Sequence, residues 1–238
     1  IREMSMPEPA PYCTRFSRFR ALFSAMYRCP VCRFASVILP LMVVLLAQIL
    51  RADEPKHTFA TGEKDFMLDG KPFRIIAGEM HYARIPREYW RHRLRMAKAM
   101  GVNTIATYVF WNYHEPESGT FDFSSENRNL REFIRLAQEE GLWLILRPGP
   151  YACAEWEFGG YPWWLLKEQD MTVRSTDARF LGACRKYLKR LGEEVGDLQV
   201  SQGGPILLVQ VENEYGSFGS DNTFMEAMRD DIRAAGFD

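Results

Sequence analysis

The amino-acid sequence predicts an α/β fold, a (β/α)8 TIM barrel of which about the first four βα units are present. Strand-like and helix-like segments alternate from residue 66 to residue 238, and this alternation is typical of a parallel sheet with helical crossovers. Each strand-like segment ends in polar and aromatic residues. The first one is not followed by the Gly-rich phosphate turn that is usual in an open doubly wound sheet, so the barrel is favoured.

The N-terminal region, residues 1–52, is a basic leader. Residues 34–50 are apolar apart from Ser36, Pro40 and Gln48, and the segment before them is basic, with Arg15, Arg18, Arg20, Arg28 and Arg33. This pattern predicts a secretory signal peptide. The alternative is a single membrane anchor, although the run is short for a membrane span and contains Pro40. We expect export to the periplasm, the lysosome or the extracellular space, and no membrane contact in the mature protein unless the leader is retained as an anchor.

The predicted barrel domain covers residues 53–238. Residues 66–73 predict a hairpin, because Asp69 and Gly70 form a favoured tight-turn pair between two short apolar pieces. The first unit is a strand over 74–81 and a helix over 86–100, opened by Pro86 and stopped by Gly101.

Three further units repeat this pattern. The second has a strand over 102–111 and a helix over 129–140, and the third has a strand over 142–146 and a helix over 178–194. In the fourth, residues 205–211 form an apolar run typical of a strand buried on both faces, and residues 222–235 form the helix. Half of a barrel leaves two strand edges and a hydrophobic face uncovered, so we expect the chain to be a fragment of a longer protein.

Composition excludes some classes of function. The formal net charge is −1, so bulk electrostatics do not favour nucleic acid. Aromatic residues make up 13%, which fits a stacking surface for sugars, although core packing explains most of them. Only Cys153 and Cys184 lie in the barrel domain, which indicates no disulfide framework, and the pair Cys29 and Cys32 is interpreted as incidental. The histidines form no recognised metal motif, and we predict no cofactor.

The most informative stretch is Glu212, Asn213, Glu214 and Tyr215, directly after the fourth strand. Carboxylates at the carboxyl end of a parallel strand lie where α/β barrels place their chemistry. If the strand continues, Glu212 and Glu214 share one side of it and raise the pKa of each other, which suits a proton donor. The alternative is an acidic loop that caps the next helix.

The other strand ends are rich in carboxylates, amides and aromatic rings, a combination that suits glycoside hydrolysis. Trp111 or Trp156 is expected to cover the apolar face of a sugar, whereas Trp163 and Trp164 are expected to pack under a loop. The remaining expectations concern single side chains: Arg147 is a candidate ion-pair partner for nearby acids, and His81 and His114 are expected to make structural hydrogen bonds.

Five segments, in order, resemble glycoside hydrolase family 35, the β-galactosidases: GEMHYARIPREYW, GVNTIATYVFWNYHEPESGTFDF, LILRPGPYACAEWEFGGYPWWLL, VRSTD and GGPILLVQVENEYG. The resemblance implies that Glu214 is the general acid/base and that Asn213 holds the sugar 2-hydroxyl. It also implies that Tyr108, Ala154 and Glu155 line the galactose pocket.

The resemblance further implies a retaining exo-β-galactosidase that acts by double displacement on terminal non-reducing β-D-galactosyl residues. The family's nucleophile is a second glutamate on strand seven, and the chain stops before strand five, so the chain by itself is expected to be inactive. Two alternatives stay open: the same fold acting on another β-glycoside such as a β-glucosaminide, or a non-catalytic carbohydrate-binding relative.

Overall fold

The computed structural model describes residues 56–238, and the predicted leader over residues 1–52 lies outside them. An antiparallel sheet comes first, formed by β1 (Phe59–Thr61), β2 (Phe66–Leu68) and β3 (Lys71–Phe73). Asp69 and Gly70 both have positive φ, 52° and 72°, as a tight hairpin turn requires. The predicted hairpin is therefore confirmed, and β1 adds a third strand that the sequence analysis does not predict.

Four βα units follow. The parallel strands are β4 (Ala77–Glu79), β5 (Thr104–Tyr108), β6 (Trp143–Arg147) and β7 (Ile206–Val209). The main helices are α1 (Trp90–Ala99), α3 (Leu130–Glu139), α4 (Ala178–Val195) and α6 (Asn222–Ala234), and the short helices α2 (Trp111–His114) and α5 (Tyr215–Phe218) follow β5 and β7. Single 3₁₀ turns lie at Tyr82–Arg84, Arg87–Tyr89, Glu126–Arg128, Glu157–Gly160, Trp163–Lys167, Gly196–Leu198 and Val200–Gln202.

The strands pair in sequence order, β4-β5-β6-β7, and every pair is parallel. A doubly wound sheet reverses its order at a switch point and carries helices on both faces. Here α1 packs on α3, α3 on α4 and α4 on α6, so the helices form one continuous layer. The order of strands and helices is that of a (β/α)8 barrel, as the sequence predicts.

The core lies between the helical layer and one face of the sheet. Ile105, Leu144 and Leu146 point into it and are fully buried. The other face is only partly covered, since Ala106, Ile145 and the later part of β7 are half-buried. The expectation that the fourth strand is buried on both faces holds for Ile206 and Leu207 but is wrong for Leu208 and Val209. Among these residues, no helix combines the length and apolar character needed to cross a membrane.

Two predicted strands end earlier than expected. The first is limited to Ala77–Glu79, and the second stops at Tyr108 rather than at Trp111. Trp111 instead begins the helical turn α2, where its indole N–H donates to the Glu115 carboxylate four residues later. The apolar residues Val109 and Phe110 continue the strand pattern in the sequence, but in the structure they belong to a buried turn.

The packing of α4 on α6 depends on Gly192. A Cβ atom at this position would lie 1.9 Å from the carbonyl oxygen of Ala235, at the end of α6. Gly192→Ala is expected to destabilise the fold by about 2 kcal/mol or more, because backbone rather than a flexible side chain must move. Chemical denaturation of the purified protein measures this change.

Gly182 provides the matched control, since it lies in the same helix and a Cβ there meets no atom within 4 Å. Gly182→Ala is expected to stabilise the protein by about 0.5–1 kcal/mol, because alanine loses less conformational entropy in a helix than glycine. A similar change in both variants would contradict the close approach of α4 and α6.

Candidate active site

The carboxyl ends of the four parallel strands meet at Arg147, the last residue of β6. Its guanidinium forms an ion pair with Glu79 at the end of β4 and lies 3.8 Å from the ring centre of Tyr108, its register partner on β5. Its Nε donates to Gln210 Oε1 at 2.8 Å and another nitrogen to Asn213 Oδ1 at 2.9 Å. The expectation of an ion-paired Arg147 is confirmed.

Asn213 is buried, and its amide orientation is fixed by its neighbours. Oδ1 accepts hydrogen bonds from the Tyr108 hydroxyl at 2.8 Å and from Arg147, while Nδ2 donates to the Ala152 carbonyl at 3.3 Å. Burial raises the pKa of Tyr108 to about 12, with Arg147 opposing the change and the charges of Glu79 and Glu214 adding to it. Tyr108 therefore stays protonated and donates to Asn213 at any ordinary pH.

Glu212 and Glu214 have different environments. Glu212 is fully buried and forms a bidentate ion pair with Arg174, with N···O distances of 2.9 and 2.7 Å. Burial raises the pKa of Glu212, and hydrogen bonds from Arg174 and the Asn213 N–H oppose this rise. The expectation that the two acids raise each other's pKa is wrong for Glu212, whose pKa is raised by burial alone.

Glu214 is exposed and adopts a left-handed backbone conformation, φ 53°, directly before α5. Among residues 56–238 its carboxylate has no hydrogen-bond or ion-pair partner. Because β7 ends at Val209 and Glu212 is also left-handed, with φ 60°, the alternation of a strand does not continue to these residues. Glu214 is thus the one of the two acids that is free to meet a ligand.

The loop after β6 carries the predicted residues Ala154 and Glu155. Cys153, Ala154 and Glu155 are consecutive left-handed residues, with φ of 59°, 49° and 47°. Arg84 holds this loop, because one guanidinium nitrogen donates to the carbonyls of Ala154 at 2.7 Å and Glu155 at 3.0 Å. The Glu155 side chain is exposed and borders an open cleft of about 460 Å³.

The aromatic residues fall into two groups. Trp111 is fully buried and stacks on Tyr187 with ring centres 5.0 Å apart, so the expectation that it covers a sugar ring is wrong. Trp156 is half-buried, stacks on Phe110 at 4.0 Å and borders the same cleft as Glu155. The expectation of packing holds for Trp164, which is half-buried against Trp111, whereas Trp163 is 48% exposed although its indole N–H donates to the Pro116 carbonyl.

Both histidines make structural hydrogen bonds, as expected. His81 Nε2 lies 2.8 Å from the Glu79 carboxylate, and its Nδ1 accepts from Arg84 at 2.8 Å. His114 bonds the Tyr82 hydroxyl and the Asp122 carbonyl. Within residues 56–238, no group of three or more His, Cys, Asp or Glu side chains could hold a metal ion.

The sequence motifs contain Arg84 and Arg174 but predict no role for them, although both bond directly to predicted site residues. A physical signal for Arg174 exists: a carboxylate such as Glu212 that follows a buried strand needs a cationic partner. Which arginine provides it depends on the loop geometry, which no local pattern specifies.

The chain resembles known proteins over this same region. The family model "Glycosyl hydrolases family 35" matches residues 65–238. A β-galactosidase of Xanthomonas manihotis is 48% identical over 206 residues, which cover 85% of this chain and 34% of that protein. β-Galactosidase-1-like protein 3 of Homo sapiens is 52% identical over 164 residues, 69% of this chain and 25% of that protein. The chain therefore spans about a third or less of the length of these relatives.

Solved structures support the fold alone. A GH5_18 protein from Streptomyces cattleya, in complex with Manb1-4GlcNAc, superposes with a TM-score of 0.54 at 14% identity. The match covers 69% of this chain and 43% of that one. An exo-β-1,4-mannosidase, Op5Man5 from an Opitutaceae bacterium, superposes with a TM-score of 0.50 at 18% identity, covering 70% of this chain and 31% of that one.

His114 makes the stability of the domain depend on pH. Burial lowers the pKa of His114 from 6.5 to about 4, so below pH 6.5 the unfolded chain takes up a proton that the folded protein does not. Stability is therefore expected to fall between pH 6.5 and about 4, by up to about 3 kcal/mol from this group. His114→Gln is expected to lose less stability over this interval, as measured by denaturation at a series of pH values.

The control is His92→Gln, because His92 is a histidine exposed on the surface of α1. Its pH dependence should match that of the parent. Equal slopes for the parent and His114→Gln would show that His114 is not the group responsible.

Proposed function

Because this chain belongs to glycosyl hydrolases family 35, we propose that it forms part of a retaining exo-β-galactosidase. The substrate is a terminal non-reducing β-D-galactosyl residue of an oligosaccharide or glycoconjugate. Relatives named β-galactosidase at 47–48% identity support this choice of sugar. Since the chain spans only a part of these relatives, the activity belongs to the protein encoded by the full open reading frame.

The observation that carries the proposal is the contrast between Glu214 and two other strand-end acids, while Glu155, which is also exposed, is the one that the family resemblance assigns to sugar hydroxyls. Glu79 and Glu212 each form an ion pair with an arginine, whereas the Glu214 carboxylate is exposed and unpaired among the described residues. A general acid/base must exchange protons with the leaving oxygen and with water, so it has to be accessible and uncommitted. We therefore assign this role to Glu214.

Sugar recognition is assigned to Asn213, Tyr108, Ala154 and Glu155. The Asn213 Nδ2 has one hydrogen left after its bond to Ala152, and we assign this hydrogen to a sugar hydroxyl. The exposed Glu155 carboxylate provides acceptors for further hydroxyls, and its loop is held in place through backbone carbonyls. The Tyr108 hydroxyl keeps the Asn213 amide oriented.

In the proposed reaction a second carboxylate, about 5 Å from Glu214, attacks the anomeric carbon while Glu214 protonates the leaving oxygen. Water, deprotonated by Glu214, then releases the sugar. The family resemblance implies that this nucleophile is a glutamate on strand seven of the barrel, and we propose that it lies outside residues 56–238. Residues 53–238 are then the N-terminal half of the barrel, and we propose that the leader, residues 1–52, exports the protein.

The central test is Glu214→Gln in the protein expressed from the full open reading frame. This variant keeps the shape of the side chain but cannot carry a proton to the leaving oxygen. Turnover of an alkyl β-galactoside is expected to fall by about 10²–10⁴-fold. Glu226→Gln is the matched control, since Glu226 is an exposed glutamate on α6 and should leave the rate unchanged.

Unchanged activity in Glu214→Gln would remove the acid/base assignment. A folded parent that turns over a β-glucosaminide but not a β-galactoside would change the proposed substrate to a β-glucosaminide. A folded parent that binds galactosides and turns over none of them would favour a non-catalytic carbohydrate-binding protein.

A further inference from the structure

We propose that Arg174 is a positioning residue that orients Glu214 for catalysis through the two residues before it, an inference that rests on the function proposed above. Arg174 precedes α4, and its side chain is only 6% exposed. Its guanidinium makes two hydrogen bonds to the Glu212 carboxylate and a third, at 2.6 Å, to the backbone carbonyl of Asn213. It thus bonds the two residues that immediately precede the acid/base.

The segment that carries the acid/base needs such an anchor. β7 ends at Val209, so the sheet does not hold residues 212–214. Glu212 and Glu214 are both left-handed, with φ of 60° and 53°, a conformation that non-glycine residues rarely adopt and that costs on the order of 1 kcal/mol each. This conformation persists only if surrounding contacts hold it, and Arg174 provides three of them.

The guanidinium is itself held in place by aromatic rings. The Cζ atom of Arg174 lies 4.2 Å from the ring centre of Tyr151, 4.3 Å from that of Phe218 and 5.5 Å from that of Tyr215. The rings restrict the plane of the guanidinium and exclude water from its faces. A lysine cannot reproduce this arrangement, because its ammonium is neither planar nor able to donate in a fixed fork.

The competing explanation is that Arg174 only neutralises buried Glu212. The two roles differ in what a double substitution restores. Arg174→Met alone leaves Glu212 buried and unpaired, which is costly, whereas Arg174→Met with Glu212→Gln removes both charges and is expected to recover most of the stability. The bond to the Asn213 carbonyl is missing in both variants.

The test compares leaving groups in the protein from the full open reading frame. An alkyl β-galactoside needs a proton from the acid/base, whereas a dinitrophenyl β-galactoside expels a stable anion and does not. In Arg174→Met, kcat/KM for the alkyl substrate is expected to fall about 100-fold, and for the dinitrophenyl substrate by less than about threefold. Azide, which attacks the glycosyl–enzyme without a general base, is expected to restore kcat for the dinitrophenyl substrate.

Two variants complete the design. Arg174→Lys is expected to behave like Arg174→Met, and the double variant is expected to regain thermal stability while keeping the dependence on the leaving group. Arg185→Met is the control for loss of an ion pair, because Arg185 pairs with buried Asp231 between α4 and α6 and touches none of the site residues. It should lower stability without changing the ratio between the two substrates.

Equal losses on both substrates in folded Arg174→Met, or normal activity in the double variant, would overturn the positioning role and leave the proposed function intact. A folded parent with no activity on either galactoside would overturn the proposed function, and with it the role of Arg174. The parent's activity therefore separates the two failures.

Discussion

The Arg147 guanidinium connects the ends of the four parallel strands, and the geometry of the candidate site depends on it. It pairs with Glu79 from β4, covers the Tyr108 ring from β5 and bonds Gln210 and Asn213 beyond β7. The planar fork of an arginine can donate to several acceptors in one fixed arrangement. Each of these contacts therefore constrains the others, and Asn213 is held by the same guanidinium that contacts the ends of the neighbouring strands.

Two other arginines extend this principle to the loops. Arg84 bonds the carbonyls of Ala154 and Glu155, and Arg174 bonds the carbonyl of Asn213. In both places the chain contains left-handed non-glycine residues. Backbone strain of this kind is found at functional sites, where surrounding contacts maintain it. Here those contacts come from charged groups that bond the backbone, which leaves the exposed side chains of Glu155 and Glu214 available.

Local sequence patterns predict the scaffold well, because each element has a local cause. The helix spacing of Leu130, Phe133 and Ile134 predicts α3, and Asn129 caps it by accepting from the Glu132 N–H. The same patterns fail at the ends of strands. The directions in which the Glu212 and Glu214 side chains point depend on the left-handed backbone of these two residues. That backbone is stabilised by Arg174, which lies 38 residues away from Glu212 in the sequence. Such long-range contacts leave no periodic signal.

The way in which Arg84 holds its loop has a consequence for how this protein can change. Carbonyl oxygens are common to all amino acids, so the anchorage of residues 154 and 155 does not depend on their side chains. New side chains can be introduced there, in evolution or in the laboratory, while the loop keeps its position. The left-handed backbone narrows the choice, with glycine, asparagine and aspartate the best tolerated. Under the function proposed above, we therefore expect sugar preference to be most readily altered at Ala154 and Glu155, provided that Arg84 is kept.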